Sequence, residues 1–224
     1  MKILALEFSS PQRSVAVVSA DAGGNVMVSA EALDTSTGHT MKPFALIESA
    51  LQRAGLEREQ IEIIAVGTGP GSYTGIRAAI ALAQGWQLAS GVKLLGISSA
   101  ESLAMQAGGE FPQSPGGKFS VVIDAQREEF YLADYEINSD GWRVIAPLRL
   151  VPLAEVRERE QEGHRLFGPE VKRWFPNGQV LFPRAETLTR LALPRNDFSA
   201  GELLEPIYLR EANFVKAPPS RLIL

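Results

Sequence analysis

Between Gly69 and Val92 the chain carries one charged residue, Arg77, in a stretch that otherwise reads as helix. Gly75, Ala78, Ala79, Ala81, Ala83, Gly85 and Ala89 are interleaved there with Ile76, Ile80, Leu82, Trp86 and Leu88, and the polar Gln84 and Gln87 carry no charge. Ile76, Ile80 and Ala83, with Gln87, form one stripe, while Ala78, Ala81, Leu82, Gly85 and Ala89 lie on others. A helix with one side in water normally shows a charged stripe on that side. This one offers none, so it is either central to its own fold or covered by something else. In a lobe of two layers one face of such a helix still reaches solvent, which favours cover by a partner protein that the small residues let come close.

The helix is launched from residues 67–77, GTGPGSYTGIR, after an apolar run at 61–66 that reads as a buried strand. Glycine permits positive φ and close backbone approach. The N–H groups at a helix start attract anions, and Ser72 and Thr74 add hydroxyls. Two familiar phosphate motifs fail, however. The Walker pattern needs Lys directly before Ser, where Gly71 precedes Ser72, and GxGxxG counted from Gly69 needs Gly where Thr74 stands. Spacing therefore favours a tight strand-to-helix turn capped by Ser72 or Thr74 over a phosphate cradle. Gly69, Gly71, Ser72 and Thr74, with Ser9 and Ser10 after the first strand, remain a candidate anion- or nucleotide-facing loop.

Periodicity predicts strands at 2–8, 14–20 and 26–33, with a turn at 22–25. A helix follows at 41–54, with Thr40 as N-cap, Pro43 in its first turn and Gly55 closing it. Phe44, Ile47, Leu51 and Ala54 form its apolar face. After the 61–66 strand and the 74–90 helix come a strand at 93–97 and a helix from Ser98, boxed by Glu101, to about 107. The order β-β-β-α-β-α-β-α implies a mixed sheet with helices packed on it. Residues 108–117, rich in Gly and Pro, mark a lobe boundary. Beyond it lie strands at 119–123, 130–137 and 142–150, a turn at 138–141, and helices at 152–160 and 186–193. The division is a first lobe over 1–108, a second over 109–202 and a C-terminal segment over 203–224, extended beyond Arg210. No repeat of fixed short period is present.

The 224 residues include no cysteine, which removes disulfides, zinc thiolates and cysteine nucleophiles. His39 and His164 are far apart and in no metal-binding pair, so no metal site is expected. A net charge of -4 makes the chain a poor candidate to grip nucleic acid alone. The apolar run at the N-terminus stops at Glu7, too short for a signal peptide, and no stretch is long enough to span a bilayer. A cytoplasmic protein is expected.

Several segments together resemble the TsaB (YeaZ) family of tRNA threonylcarbamoyladenosine biosynthesis proteins: KILALEFSS at 2–10, SVAVV at 14–18, AVGTGPGSYTGIRAAIALAQG at 65–85, Ile97-Ser98-Ser99, IDAQREEFYLADY at 123–135 and EPIYLRE at 205–211. Glu7 stands where many relatives carry Asp, and Gln126 replaces the usual Arg of an Asp-Ala-Arg segment. The resemblance implies an α/β fold of the actin/Hsp70/sugar-kinase (ribonuclease H-like) kind, two lobes with mixed sheets. It implies a non-catalytic subunit that binds a TsaD paralogue and works with the ATPase TsaE. That complex modifies the adenosine beside the anticodon of tRNAs reading codons that begin with A. ATP and metal are then used by the partner subunits, this chain binds no cofactor alone, and tRNA is reached only through the complex. The implied partner contact uses Phe44, Ile47 and Leu51 of the 41–54 helix and Arg77, Ala78, Ala81, Leu82, Gly85 and Ala89 of the 74–90 helix. A homodimer through the same surface is also implied.

The competing reading is a self-sufficient ATPase or kinase of the same superfamily, using Ser9, Ser10 and the 69–74 loop. Transfer chemistry needs charge at the reacting atoms, and the candidates are Glu7, Asp124 and Arg77. Glu7 and Asp124, both at strand ends, could share Mg²⁺ across a cleft. As simpler roles, Glu7 is a strand-end charge, Asp124 caps a turn and Arg77 pairs with a partner or braces the loop. A metallopeptidase is argued against by the lack of paired histidines.

Overall fold

The computed structural model describes residues 1–21, 23–34, 42–110, 116–138 and 141–210. The first strand, β1 (Lys2–Glu7), is apolar from Ile3 to Leu6 because both its faces are covered. Leu4 and Leu6 pack toward α1 (Pro43–Ala54) and α2 (Tyr73–Ser90), while Ile3 and Ala5 pack toward α5 (Ala185–Ala192). β2 (Arg13–Ala20), β4 (Ile63–Gly67) and β5 (Lys93–Ile97) divide their side chains the same way. A strand buried on both faces loses the polar alternation of a half-exposed one. The edge strand β3 (Val26–Asp34) is largely exposed, and the order is β3-β2-β1-β4-β5. β1, β2 and β3 pair antiparallel in turn, and β1, β4 and β5 pair parallel.

A second sheet is built from β6 (Lys118–Asp124), β7 (Glu129–Asn138), β8 (Gly141–Pro152), β9 (Arg165–Gly168) and β10 (Gln179–Val180), in the order β10-β9-β6-β7-β8. Read from β8, this repeats the first sheet strand for strand, including which pairs are parallel. The repeat is one of topology, with no sequence period to betray it. α3 (Ser99–Glu110) covers one face of this sheet and α4 (Leu153–Gln161) the other. His164 is buried, its Nδ1 2.8 Å from Ser120 Oγ, which donates to Asp134. It is a packed core residue.

Most predicted elements fall within a few residues of the observed ones, and several differences are informative. α1 starts at Pro43, preceded by Lys42 without a side-chain cap. The expected cap Thr40 lies outside the described residues, as do His39, residues 111–115 of the 108–117 boundary, the middle of the 138–141 turn and the tail beyond Arg210. β9 and β10, of four and two residues, are too short to show a period. The second lobe was expected to run to 202, but α5 returns to the first sheet and covers its Ile3–Ala5 face. The apolar face of α5 matches a sheet that needs a second cover.

The glycine loop fixes where α2 begins. A Cβ at Gly75 would sit 2.0 Å from Phe8 O, and one at Gly71 2.2 Å from Ser9 O. The Ser72 N–H donates to Ser9 O at 2.6 Å, and Ser72 Oγ caps the helix by accepting from the Gly75 N–H. The glycines therefore admit the backbone of the turn between β1 and β2. Gly85 differs: a Cβ there meets nothing within 4 Å and the residue lies mid-helix and exposed. We predict that Gly75→Ala lowers unfolding free energy by about 3 kcal/mol through overpacking. Gly85→Ala raises it by about 0.5–1 kcal/mol through helix propensity. Urea denaturation of the two variants checks both signs.

Candidate functional site

Two surfaces stand out, a cleft between the lobes and the outward face of α2. The cleft, of about 780 Å³, is bounded on the first lobe by Ser9, Ser10, Arg13 and the loop from Pro70 to Thr74, and on the second by Asp124, Gln126, Tyr131, Glu170 and Arg173. Of the predicted loop residues, Ser9, Ser10, Gly71, Ser72 and Thr74 line it and Gly69 does not. The spaces that Gly71 and Gly75 leave are filled by Ser9 and Phe8 backbone. Two buried polar atoms on this wall, Ser9 Oγ and Arg13 Nε, have no hydrogen-bond partner among the described residues. Arg13, at the start of β2, escaped sequence reasoning because no motif surrounds it.

Glu7 and Asp124 do not form a pair across the cleft. Glu7 is fully buried behind the loop, where its carboxylate accepts from the Ser9 N–H at 2.8 Å and from Ser99 Oγ at 2.9 Å. A Cβ at Gly67 would strike Glu7 Oε2 at 2.2 Å, so Gly67 makes room for the acid. Burial pushes the Glu7 carboxyl above its ordinary range, and the hydrogen bonds from Ser9 and Ser99 oppose the shift without reversing it. Asp124 lines the cleft but is engaged: it accepts from the Gln126 N–H at 2.7 Å and Trp174 Nε1 at 3.3 Å, with Arg173 3.8 Å away. It caps a turn, the simpler of its two roles. Glu170 beside it is shifted upward by burial and then by the Asp124 charge. Among the described residues, no three His, Cys, Asp or Glu gather as a metal set.

The turn after Asp124 is unusual. Gln126, Arg127 and Glu128 all have left-handed φ, 66°, 60° and 59°. Each such non-glycine residue costs about 1 kcal/mol. The turn is held by Asp124 and by Arg210, whose guanidinium donates to Ala125 O at 2.8 Å, to Gln126 O at 3.2 Å and to the Glu129 carboxylate. Gln126 thus contributes a backbone carbonyl whatever its side chain.

α2 buries Gly75, Ile76, Ala79, Ile80 and Ala83 and exposes Arg77, Ala81, Gly85, Leu88 and Ala89 on the opposite side. Leu88 is 90% exposed and Phe44, on α1, 65%. Between the two helices runs a groove of about 530 Å³ with Phe44, Ala81, Leu82, Gly85, Trp86 and Ala89 along it and Glu48, Arg58 and Glu59 at its rim. Leu82 is half-buried there, and Ala78, also half-buried, does not line it. Two expected interface residues are corrected: Ile47 and Leu51 are buried in the first core, Ile47 touching only the groove floor. The helical spacing that grouped them with Phe44 reports packing on β2 and β3, and Phe44 lies at the edge of that face. Gln84 and Gln87 are used internally, holding Gly201 by its C=O and N–H. Arg77 stacks on Tyr73, 4.3 Å from the ring centre, and donates from Nε to Tyr208 OH at 3.1 Å.

Two lobes of the same strand order facing one another across a cleft define the actin/Hsp70/sugar-kinase-like, ribonuclease H-like fold. The family model for TsaD, tRNA N6-adenosine threonylcarbamoyltransferase, matches residues 33–207, and the chain belongs to that family, with its likeness to the TsaB (YeaZ) proteins. It is 28% identical to the tRNA threonylcarbamoyladenosine biosynthesis protein TsaB of Escherichia coli (strain K12), over 94% of this chain and 95% of that one. The TsaB of Haemophilus influenzae is 27% identical, over 82% and 84%. A solved structure of YeaZ from Pseudomonas aeruginosa superposes with a TM-score of 0.73 at 25% identity, covering 93% of this chain and 99% of that one.

The Glu7 environment carries a pH signature. With its folded value raised above 4.5, Glu7 binds a proton more tightly when folded than when unfolded. Its contribution to stability is complete below about pH 4.5 and is lost as pH rises through the folded value. Glu7→Gln removes that dependence, so its unfolding free energy gains on wild type as pH rises from 5 to 8. Parallel pH profiles of the two proteins in urea would contradict it.

Proposed function

We propose that this chain is a non-catalytic subunit in the making of threonylcarbamoyladenosine in tRNA, docking a TsaD-type paralogue through the exposed face of α2 and the groove beside α1. The observation that carries the proposal is the state of α2. Its outward side exposes Leu88, Ala81, Gly85 and Ala89 with one charge, Arg77, and borders an apolar groove that Phe44 leaves open. Gly85 lowers helix propensity there, and none of the described residues needs its missing side chain. Close approach of another backbone supplies the reason. Family membership supports the pathway and the kind of partner.

On this reading ATP and metal belong to the partner subunits, the TsaE ATPase among them, and tRNA reading codons that begin with A is reached only through the cytoplasmic complex. The engaged state of Glu7 and Asp124 supports a non-catalytic role over a self-sufficient ATPase or kinase. The same face would serve a homodimer of the free chain.

Ala81 and Ala89 are exposed and Ala78 is half-buried, so a charge at 81 tests the face without disturbing the core. We predict that Ala81→Glu weakens binding to the TsaD paralogue of the same organism at least tenfold, about 1.4 kcal/mol, with an unchanged thermal midpoint. Titration calorimetry with wild type and variant measures this. Equal affinities would remove α2 from the interface, and no wild-type binding would overturn the proposal.

A further inference from the structure

We propose that residues 204–210 form a strap that couples the exposed face of α2 to the cleft-lining turn of the second lobe, an inference that rests on the docking reading for what occupies α2. Leu204 is buried in the first core, just beyond Gly201, which Gln84 and Gln87 of α2 grip. The Ile207 N–H then donates to Thr68 O at 2.9 Å, at the end of β4 and the root of the glycine loop. Tyr208 stacks on Tyr73 with ring centres 5.8 Å apart, and its hydroxyl accepts from Arg77 Nε. Two residues later Arg210 has crossed to the second lobe and holds Ala125 O, Gln126 O and the Glu129 carboxylate.

Each end of this strap reaches one of two surfaces, the exposed face of α2 and the wall of the cleft. At the α2 end, Tyr208 is 48% exposed beside Arg77, on the surface a docked partner would cover. At the other end, the left-handed turn at 126–128 is strained, and the carbonyls at its start are held by Arg210, a group from the far end of the sequence. Tyr73 and Gln126 both line the cleft, so the strap joins its two walls. A partner that fixes Tyr208 and Arg77 would fix the path to Arg210 and stiffen the turn. By linkage, whatever orders the turn would strengthen docking by the same factor.

Hydrogen exchange on the full chain, read by mass spectrometry over 124–130, tests this. In the free protein Arg210→Ala should speed exchange there roughly tenfold, in line with the loss of a charge-assisted hydrogen bond. Arg210→Lys should fall between, since it keeps the charge and loses the planar Nη2 that makes all three contacts. Arg190→Ala, at an exposed pair within α5, should change nothing there. With the paralogue added, wild type should slow over 124–130, and Arg210→Ala should still bind yet lose that slowing. Unchanged exchange in free Arg210→Ala, or slowing that survives in its complex, overturns the coupling. If wild type binds no paralogue, the docking reading falls and the coupling with it, while the free-chain comparison still shows whether Arg210 holds the turn.

Discussion

The turn between β1 and β2 presses its backbone into the glycine loop, and the arrangement of the first lobe follows from that contact. Phe8 O and Ser9 O occupy the positions where Cβ atoms of Gly75 and Gly71 would lie, and the Ser72 N–H closes on Ser9 O. Because α2 starts against this turn, the contact fixes where the helix begins. Ile76, Ile80 and Ala83 then meet the Leu4–Leu6 face of the sheet, and Arg77, Ala81 and Gly85 are turned to solvent. The same contact places Ser9, Ser72 and Thr74 on the cleft wall.

Much of this was legible in local sequence. The near absence of charge from 70 to 91 announced a helix with unusual surroundings, and the glycines announced close approach. What they approach was not legible: their neighbours are backbone atoms some sixty residues earlier, and the spacing of the loop carries no trace of them. Ile47 and Leu51 show the converse limit. A helical stripe reads the same whether it faces a sheet of its own chain or another protein, and here the sheet takes it. The strap and the return of α5 depend on contacts between residues more than 80 positions apart, such as Arg210 with Ala125 and Ala185 with Ser14. Nothing local encodes such pairings, although the segment EPIYLRE had already marked Tyr208 and Arg210 as part of the family resemblance.

The two acidic candidates are both engaged in local structure beside the cleft. Glu7 closes the end of β1 but turns inward to Ser9 and Ser99, bracing the loop against the start of α3. Asp124 holds the turn that Arg210 also holds. Both side chains maintain shape at the cleft. On the proposed reading, a subunit organised this way would contribute a surface and a set inter-lobe geometry, with the reacting groups supplied by its partners.

Reconstituted modification of an unmodified tRNA reading a codon that begins with A tests that division of labour most directly. The assay supplies ATP, threonylcarbamoyl donor, the TsaD paralogue and the TsaE ATPase, with this chain present or omitted. The account predicts no threonylcarbamoyl transfer by this chain alone and transfer that depends on adding it to the paralogue. Transfer by this chain alone, or equal transfer with the chain left out, would contradict it.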